Sequence, residues 1–142
     1  MEIIEIGKGR KLKDGKDLAI LSIGPIGNAV SAAISEIEKE GFSIGQYDMI
    51  FLKPIDGEIL KEVASTYNRI ITVENGVITG GLGSAVLEYF SDNGYKDKEV
   101  MRVGLPDKFV THGSVKDLNH LCGIDVEGIT KKIHDVLTAN KG

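Results

Sequence analysis

The sequence holds one cysteine, Cys122, and three prolines among its 142 residues. A single thiol cannot close an internal disulfide, which excludes a disulfide-stapled fold and agrees with a reducing compartment. Long apolar runs are absent: the longest are of the Leu18-Ala19-Ile20-Leu21 kind, far short of the roughly 20 residues of a membrane-spanning helix. Met1-Glu2-Ile3-Ile4-Glu5 offers neither a basic n-region nor an apolar h-region, so the expectation is no secretory leader, no membrane partner and a cytoplasmic location. Excess positive charge is missing too. With 17 Lys and Arg against 21 Asp and Glu, the net charge is -4 and the pI about 5.4, which argues against a nucleic-acid partner. What is present describes a folded domain. Hydrophobic residues make up 42% and charged residues 27%, a balance outside the disordered range. The length suits one domain, with close to 70% of the chain's surface buried on folding.

Glycine is over-represented, at 18 residues, nearly twice the usual ~7%, and the glycines fall at joints between patterned segments. Arg10-Lys11-Leu12-Lys13 is followed by Asp14-Gly15, a dipeptide suited to a type I′ turn, which predicts a short hairpin into the next strand. Asp17 to Ile23 is a nearly continuous apolar run, as in a strand buried on both faces. Val30, Ala33, Ile34 and Ile37 then fall on one helical face ending at Gly41. Ile44 to Leu52 reads as a strand, and Asp56 caps a helix carrying Ile59, Leu60, Val63, Ala64 and Tyr67. Arg69 to Glu74 is the next strand, followed by a glycine-rich turn and a helix with Leu82, Ala85, Val86, Tyr89 and Phe90 on one face, closed by Gly94. Glu99 to Val103 reads as a strand, Gly104 to Gly113 as a loop, Ser114 to Leu121 as a short helix and Asp125 to about Ala139 as a terminal helix. Strands alternating with helices imply a mostly parallel sheet covered on both faces, a three-layer α/β/α fold.

The densest glycine cluster, Glu74-Asn75-Gly76-Val77-Ile78-Thr79-Gly80-Gly81-Leu82-Gly83-Ser84, follows a strand and opens a helix. Helix-start amides at a strand's carboxyl end favour anions. Neither G-x-G-x-x-G nor G-x-x-x-x-G-K-[ST] is present, so a close backbone approach or a domain contact stands beside the phosphate reading. Gly24-Pro25-Ile26-Gly27-Asn28 is a second such turn with a weaker signature. His112 lies in a polar loop, His120 and Cys122 lack further ligands at zinc-like spacing, and His134 sits among Lys131, Lys132 and Asp135. Ser114 with Asp117 reads as a helix cap. Lys8, Arg10, Lys11, Lys13 and Lys16 read as the charges of a protected sheet edge, with an anion patch as the alternative. The residues alone define no catalytic constellation.

Four segments in order carry a family resemblance: Glu5-Ile6-Gly7-Lys8-Gly9-Arg10, Phe51-Leu52-Lys53-Pro54-Ile55-Asp56, Val73-Glu74 with Gly80-Gly81-Leu82-Gly83-Ser84-Ala85-Val86, and Gly104-Leu105-Pro106-Asp107-Lys108-Phe109-Val110-Thr111-His112-Gly113. Together they resemble the C-terminal domain of the 1-deoxy-D-xylulose-5-phosphate synthase family, within the transketolase C-terminal-domain group. One departure is that many members read V-E-E-N where this chain has Val73-Glu74-Asn75-Gly76. The resemblance implies a five-stranded sheet with one antiparallel strand and 17–142 as the domain proper, while the charged, glycine-punctuated character of residues 1–16 reads as a connector and hairpin. It also implies a parent enzyme that uses thiamine diphosphate and Mg²⁺ to condense pyruvate with glyceraldehyde 3-phosphate, releasing CO₂. The implied partners are the N-terminal and central domains, which carry the catalytic machinery, and a second subunit in a homodimer. No catalytic, cofactor or metal residue transfers to this chain, which alone is expected to be inactive. Glu74, Gly80, Gly81, Gly83, Arg102, Asp107 and His112 are the candidate surface for contact with those domains or the partner subunit. The alternatives are the same domain of another transketolase-like enzyme or 2-oxo acid dehydrogenase β subunit, and a free-standing anion- or nucleotide-binding module.

Overall fold

The apolar run after Asp17 becomes β2 (Leu18–Ser22), buried at every residue, in a computed structural model that describes residues 6–77, 81–105 and 124–139. β2 is central. It pairs in parallel with β3 (Ile44–Asp48) on one side and β4 (Arg69–Val77) on the other. β5 (Glu99–Leu105) extends the sheet in parallel beside β4, and β1 (Arg10–Lys13) closes the opposite edge antiparallel to β3. The order is β1-β3-β2-β4-β5, the expected mixed sheet with one antiparallel strand.

Alternation along β2 divides the core. Leu18 and Ile20 face the cluster under α1 (Gly27–Glu38) and α4 (Val126–Thr138). Ala19 and Leu21 face the cluster under α2 (Gly57–Thr66) and α3 (Leu82–Asp92). Each helix supplies the stripe its spacing predicts: Val30, Ala33, Ile34 and Ile37 are buried on α1, and Leu60, Val63 and Ala64 on α2. The expected cap at Asp56 forms and Asp125 caps α4 as well, while the expected cap at Ser114 lies outside the described residues. The Asp56 carboxylate accepts from the amides of Glu58 and Ile59 at 2.9 and 3.2 Å, and Asp125 accepts from Gly128 N–H at 2.8 Å. Beyond α1, Gly41 adopts φ +94°, which its lack of a Cβ makes inexpensive.

Three expectations change. Asp14-Gly15 does not turn a hairpin, because β1 pairs with β3 and the chain crosses past β3 before entering β2. β3 stops at Asp48, whose side chain accepts from Ile50 N–H at 3.1 Å and diverts the chain before Leu52. β4 runs to Val77 through a break in register, four steps from Val73 to Val77 against two from Val103 to Leu105. The expected helix Ser114–Leu121 lies outside the described residues.

Gly15 owes its identity to space rather than to turn geometry. A Cβ there would lie 2.1 Å from the Gly45 nitrogen, and a Cβ at Gly45 would lie 2.2 Å from the Tyr67 hydroxyl oxygen. Tyr67 uses the room: its hydroxyl donates to the Gly15 carbonyl at 2.8 Å and accepts from the Gly15 amide at 3.1 Å. One phenol therefore ties the segment before β2 to the end of α2 across β3. The edge strand is guarded by ion pairs, Lys8 with Glu58 at 3.0 Å, Lys11 with Asp14 at 3.0 Å and with Glu62 at 3.5 Å, and Lys13 with Glu38. This is the protected-edge reading of the basic stretch. Beneath it the Tyr47 hydroxyl donates to Glu62 at 2.9 Å, and burial, reinforced by that bond, pushes the phenol pKa far above its ordinary value.

Gly45→Ala is expected to destabilise the fold by about 1–3 kcal/mol through overpacking. Tyr67→Phe is expected to cost about 1–3 kcal/mol by orphaning the Gly15 groups. In urea unfolding the double variant should lose less than the two single losses summed, since removing the hydroxyl relieves part of the clash. Strict additivity would contradict the lock.

Candidate contact site at the carboxyl edge of the sheet

Parallel strands deliver their carboxyl ends to one edge, and there β4 meets the start of α3. The register break after Val73 takes Glu74 out of the regular ladder. Its carboxylate turns inward, is only 5% exposed, and accepts from Leu82 N–H at 2.9 Å and Gly83 N–H at 3.2 Å, one amide on each oxygen. A carboxylate across the first turn satisfies donors that have no partner within the helix and complements the positive end of its dipole. Gly81 is the N-cap and supplies no side-chain bond, so Glu74 takes over a cap's task from a neighbouring strand.

Gly83 lets β5 approach. A Cβ there would lie 2.4 Å from Arg102 Cγ, 2.5 Å from Arg102 Cδ and 2.8 Å from Thr72 Oγ1. The Arg102 stem therefore lies across the first turn of α3, and the residue as a whole stays exposed. Thr72 is fully buried and its hydroxyl has no hydrogen-bond partner. Nothing in the sequence pattern distinguishes Thr72 from an ordinary strand residue, and only the Gly83 contact reveals its place here. Of the candidate residues, the structure thus brings Glu74, Gly81, Gly83 and Arg102 together. Gly80, Asp107 and His112 lie outside the described residues, as do His120 and Cys122.

The first two sequence segments also meet at this edge. The Gly9 amide donates to Asp56 Oδ2 at 2.8 Å, while a Cβ at Gly9 would lie 2.7 Å from the Asp48 carbonyl oxygen. Asp56 is a clamp as well as a cap. At the second glycine turn, α1 has no side-chain cap, and the buried Ser22 hydroxyl beneath Gly27 is unpartnered. His134 lies away from the edge, 3.2 Å from Glu40, on the solvated helix face its neighbours suggest.

The described start of α3 does not offer its first two amides to a diphosphate. The amides of Leu82 and Gly83 are already held by Glu74, and a phosphate brought to the same donors would meet a fixed like charge. Among the described residues, no group of three or more His, Cys, Asp or Glu is arranged to hold a metal ion.

The sequence profile described as "Transketolase, C-terminal domain" matches residues 7–129, and the chain belongs to that family. Within it, the 1-deoxy-D-xylulose-5-phosphate synthase of Parabacteroides distasonis is 58% identical over 133 residues, covering 94% of this chain and 21% of the relative. That of Bacteroides fragilis is 52% identical over 142 residues, covering 99% and 21%. The chain corresponds to the C-terminal domain of these synthases and spans about a fifth of their length. Among solved structures, one titled "Split gene transketolase, inactive beta4 tetramer" superposes with a TM-score of 0.85 at 33% identity, over 95% of this chain and 44% of the other. The transketolase of Campylobacter jejuni shares the fold, with a TM-score of 0.66 at 16% identity over 91% of this chain and 18% of the other.

Gly83→Ala is expected to destabilise the domain by about 1–3 kcal/mol, and adding Arg102→Ala should recover part of that loss by clearing the nearest atoms. Glu74→Ala should cost about 1–3 kcal/mol by leaving two amides without their acceptor. Thermal or urea unfolding of the four proteins checks both, and a neutral Gly83→Ala would contradict the close approach.

Proposed function

We propose that this chain serves as the non-catalytic C-terminal domain of a cytoplasmic, thiamine diphosphate- and Mg²⁺-dependent 1-deoxy-D-xylulose-5-phosphate synthase. The parent reaction condenses pyruvate with glyceraldehyde 3-phosphate and releases CO₂, at the entry to non-mevalonate isoprenoid synthesis. The observation that carries the reading is identity above one half to such synthases over nearly the whole chain, which nevertheless spans only 21% of their length. Chemistry supports the non-catalytic part. The first two amides of α3 are engaged by Glu74, and this also disfavours the free-standing anion-binding module.

In this reading the domain supports the N-terminal and central domains and the homodimer, with residues 1–16 as the connector that contributes its strand to the sheet. The contact surface is centred on Gly81, Gly83 and Arg102 at the carboxyl edge, and Gly80, Asp107 and His112, which lie outside the described residues, are the further candidates for it. Glu74 is a positioning residue, because its carboxylate faces the α3 amides and the residue is buried away from a partner. Arg102 is suited to contact, with its stem seated on Gly83 and its exposed guanidinium able to make bidentate bonds to a carboxylate.

The test is the size of the native polypeptide in its source cell, detected with an antibody against this chain. A band at roughly five times 15.3 kDa is expected from the 21% share. A band at 15.3 kDa would overturn the reading and return attention to a separate subunit or binding module.

A further inference from the structure

We propose that the segment carrying β1 is a releasable strap: residues 8–14 peel from the domain as one unit while the rest stays folded, and charge governs the release. Its role rests on the reading of the chain as one domain of a longer synthase, in which the strap is the joint to the polypeptide ahead of it. The strap buries little. All four residues of β1 are exposed, and Leu12, its one large apolar side chain, is 47% exposed. β1 is the edge of the described sheet and pairs with β3 through a shift in register between Lys11 and Lys13. Small apolar burial and a ladder open to solvent mark a unit that opens below the free energy of global unfolding.

Carboxylates on two helices hold the strap down. Lys8 pairs with Glu58 on α2 at 3.0 Å, Lys11 with Glu62 on α2 at 3.5 Å, and Lys13 with Glu38 on α1. The Gly9 amide donates to the Asp56 carboxylate, the N-cap of α2, at 2.8 Å. Lys11 also meets Asp14 at 3.0 Å, but that pair lies within the strap and ties it to nothing else. Exposed ion pairs are individually weak and are screened by salt. A strand fixed by several of them is firmly seated at low ionic strength and lightly seated at high.

The attachment changes in kind at Gly15. There the tie is the neutral hydroxyl of buried Tyr67, bonded to both backbone groups of Gly15. Just beyond, the amides of Lys16 and Asp17 both donate to the Ser43 carbonyl, at 3.2 and 2.8 Å, and Ser43 N–H donates to the Asp17 carboxylate at 2.7 Å. β2 then begins, buried at every residue. Peeling therefore stops at Gly15. It also leaves the α2 cap in place, because the Glu58 and Ile59 amides bond Asp56 Oδ1 while Gly9 bonds Oδ2. In a longer chain, release turns residues 8–14 into a tether that spans up to about 25 Å at ~3.3–3.6 Å per residue, so the domain shifts against its neighbours without unfolding.

Hydrogen exchange of the native full-length protein, read by mass spectrometry, tests this. The protected amides of Arg10–Lys13 are expected to exchange at least about tenfold faster than those of β2, and several-fold faster again as sodium chloride rises from about 20 mM to about 500 mM, while residues 15–22 do not respond. The variant Lys11→Gln/Lys13→Gln, altered only at exposed positions, should exchange over β1 at low salt nearly as fast as the wild type does at high salt. Exchange of β1 in step with β2 would overturn the proposal, as would a rate indifferent to salt or a salt response that carries through residues 15–22. Intact mass of the same sample separates the two levels. A mass of 15.3 kDa would overturn the underlying reading and with it the joint, whereas a several-fold larger mass with β1 exchanging as slowly as β2 would overturn the strap alone.

Discussion

At the carboxyl edge of the sheet, the two oxygens of Glu74 hold the first two amides of α3. Much of the local architecture depends on that pair of bonds. They fix where α3 begins, which places Gly83 under the Arg102 stem and aligns Val86 and Phe90 with the core against β4. A buried carboxylate is costly unless its oxygens are bonded. Here both are, and their charge opposes the positive end of the helix dipole. The same arrangement makes the glycine-rich turn a joint. The amides of Leu82 and Gly83 face inward to a glutamate, where a nucleotide-binding turn would present such donors to a ligand.

At several of the described positions glycine works by admitting neighbours. At Gly15 and Gly45 it lets the Tyr67 hydroxyl join the segment before β2 to the end of α2, and at Gly83 it lets β5 approach α3. Glycine is thus consistent with a rigid scaffold at Gly15, Gly45 and Gly83, where the missing Cβ is replaced by an atom from another element. Such joints suit a domain whose contribution to a larger enzyme is the shape and fixed charge of its surface.

Much of the fold was legible in the sequence. Leu18–Ser22 reads as a buried strand because water reaches neither face, and Val30, Ala33, Ile34 and Ile37 read as a helix because one face meets the core. Asp56 reads as a cap because its spacing to the following amides is local. Pairings set by tertiary geometry were less legible. Asp14-Gly15 has the composition of a hairpin turn, yet Gly15 is needed against Ile44 and Gly45, and β1 pairs with β3. Of the candidate site, Glu74, Gly81, Gly83 and Arg102 could be grouped from their positions at strand and helix ends. That Glu74 faces inward could not be read, because the register break that turns it has no local signature.

The most direct measurement of the central claim follows the amide resonances of Leu82 and Gly83 in the full-length protein while inorganic diphosphate is added. If Glu74 has closed these donors to anions, the two resonances stay fixed across the titration. A saturable shift of both would contradict the account, and would make the turn an anion-binding site after all.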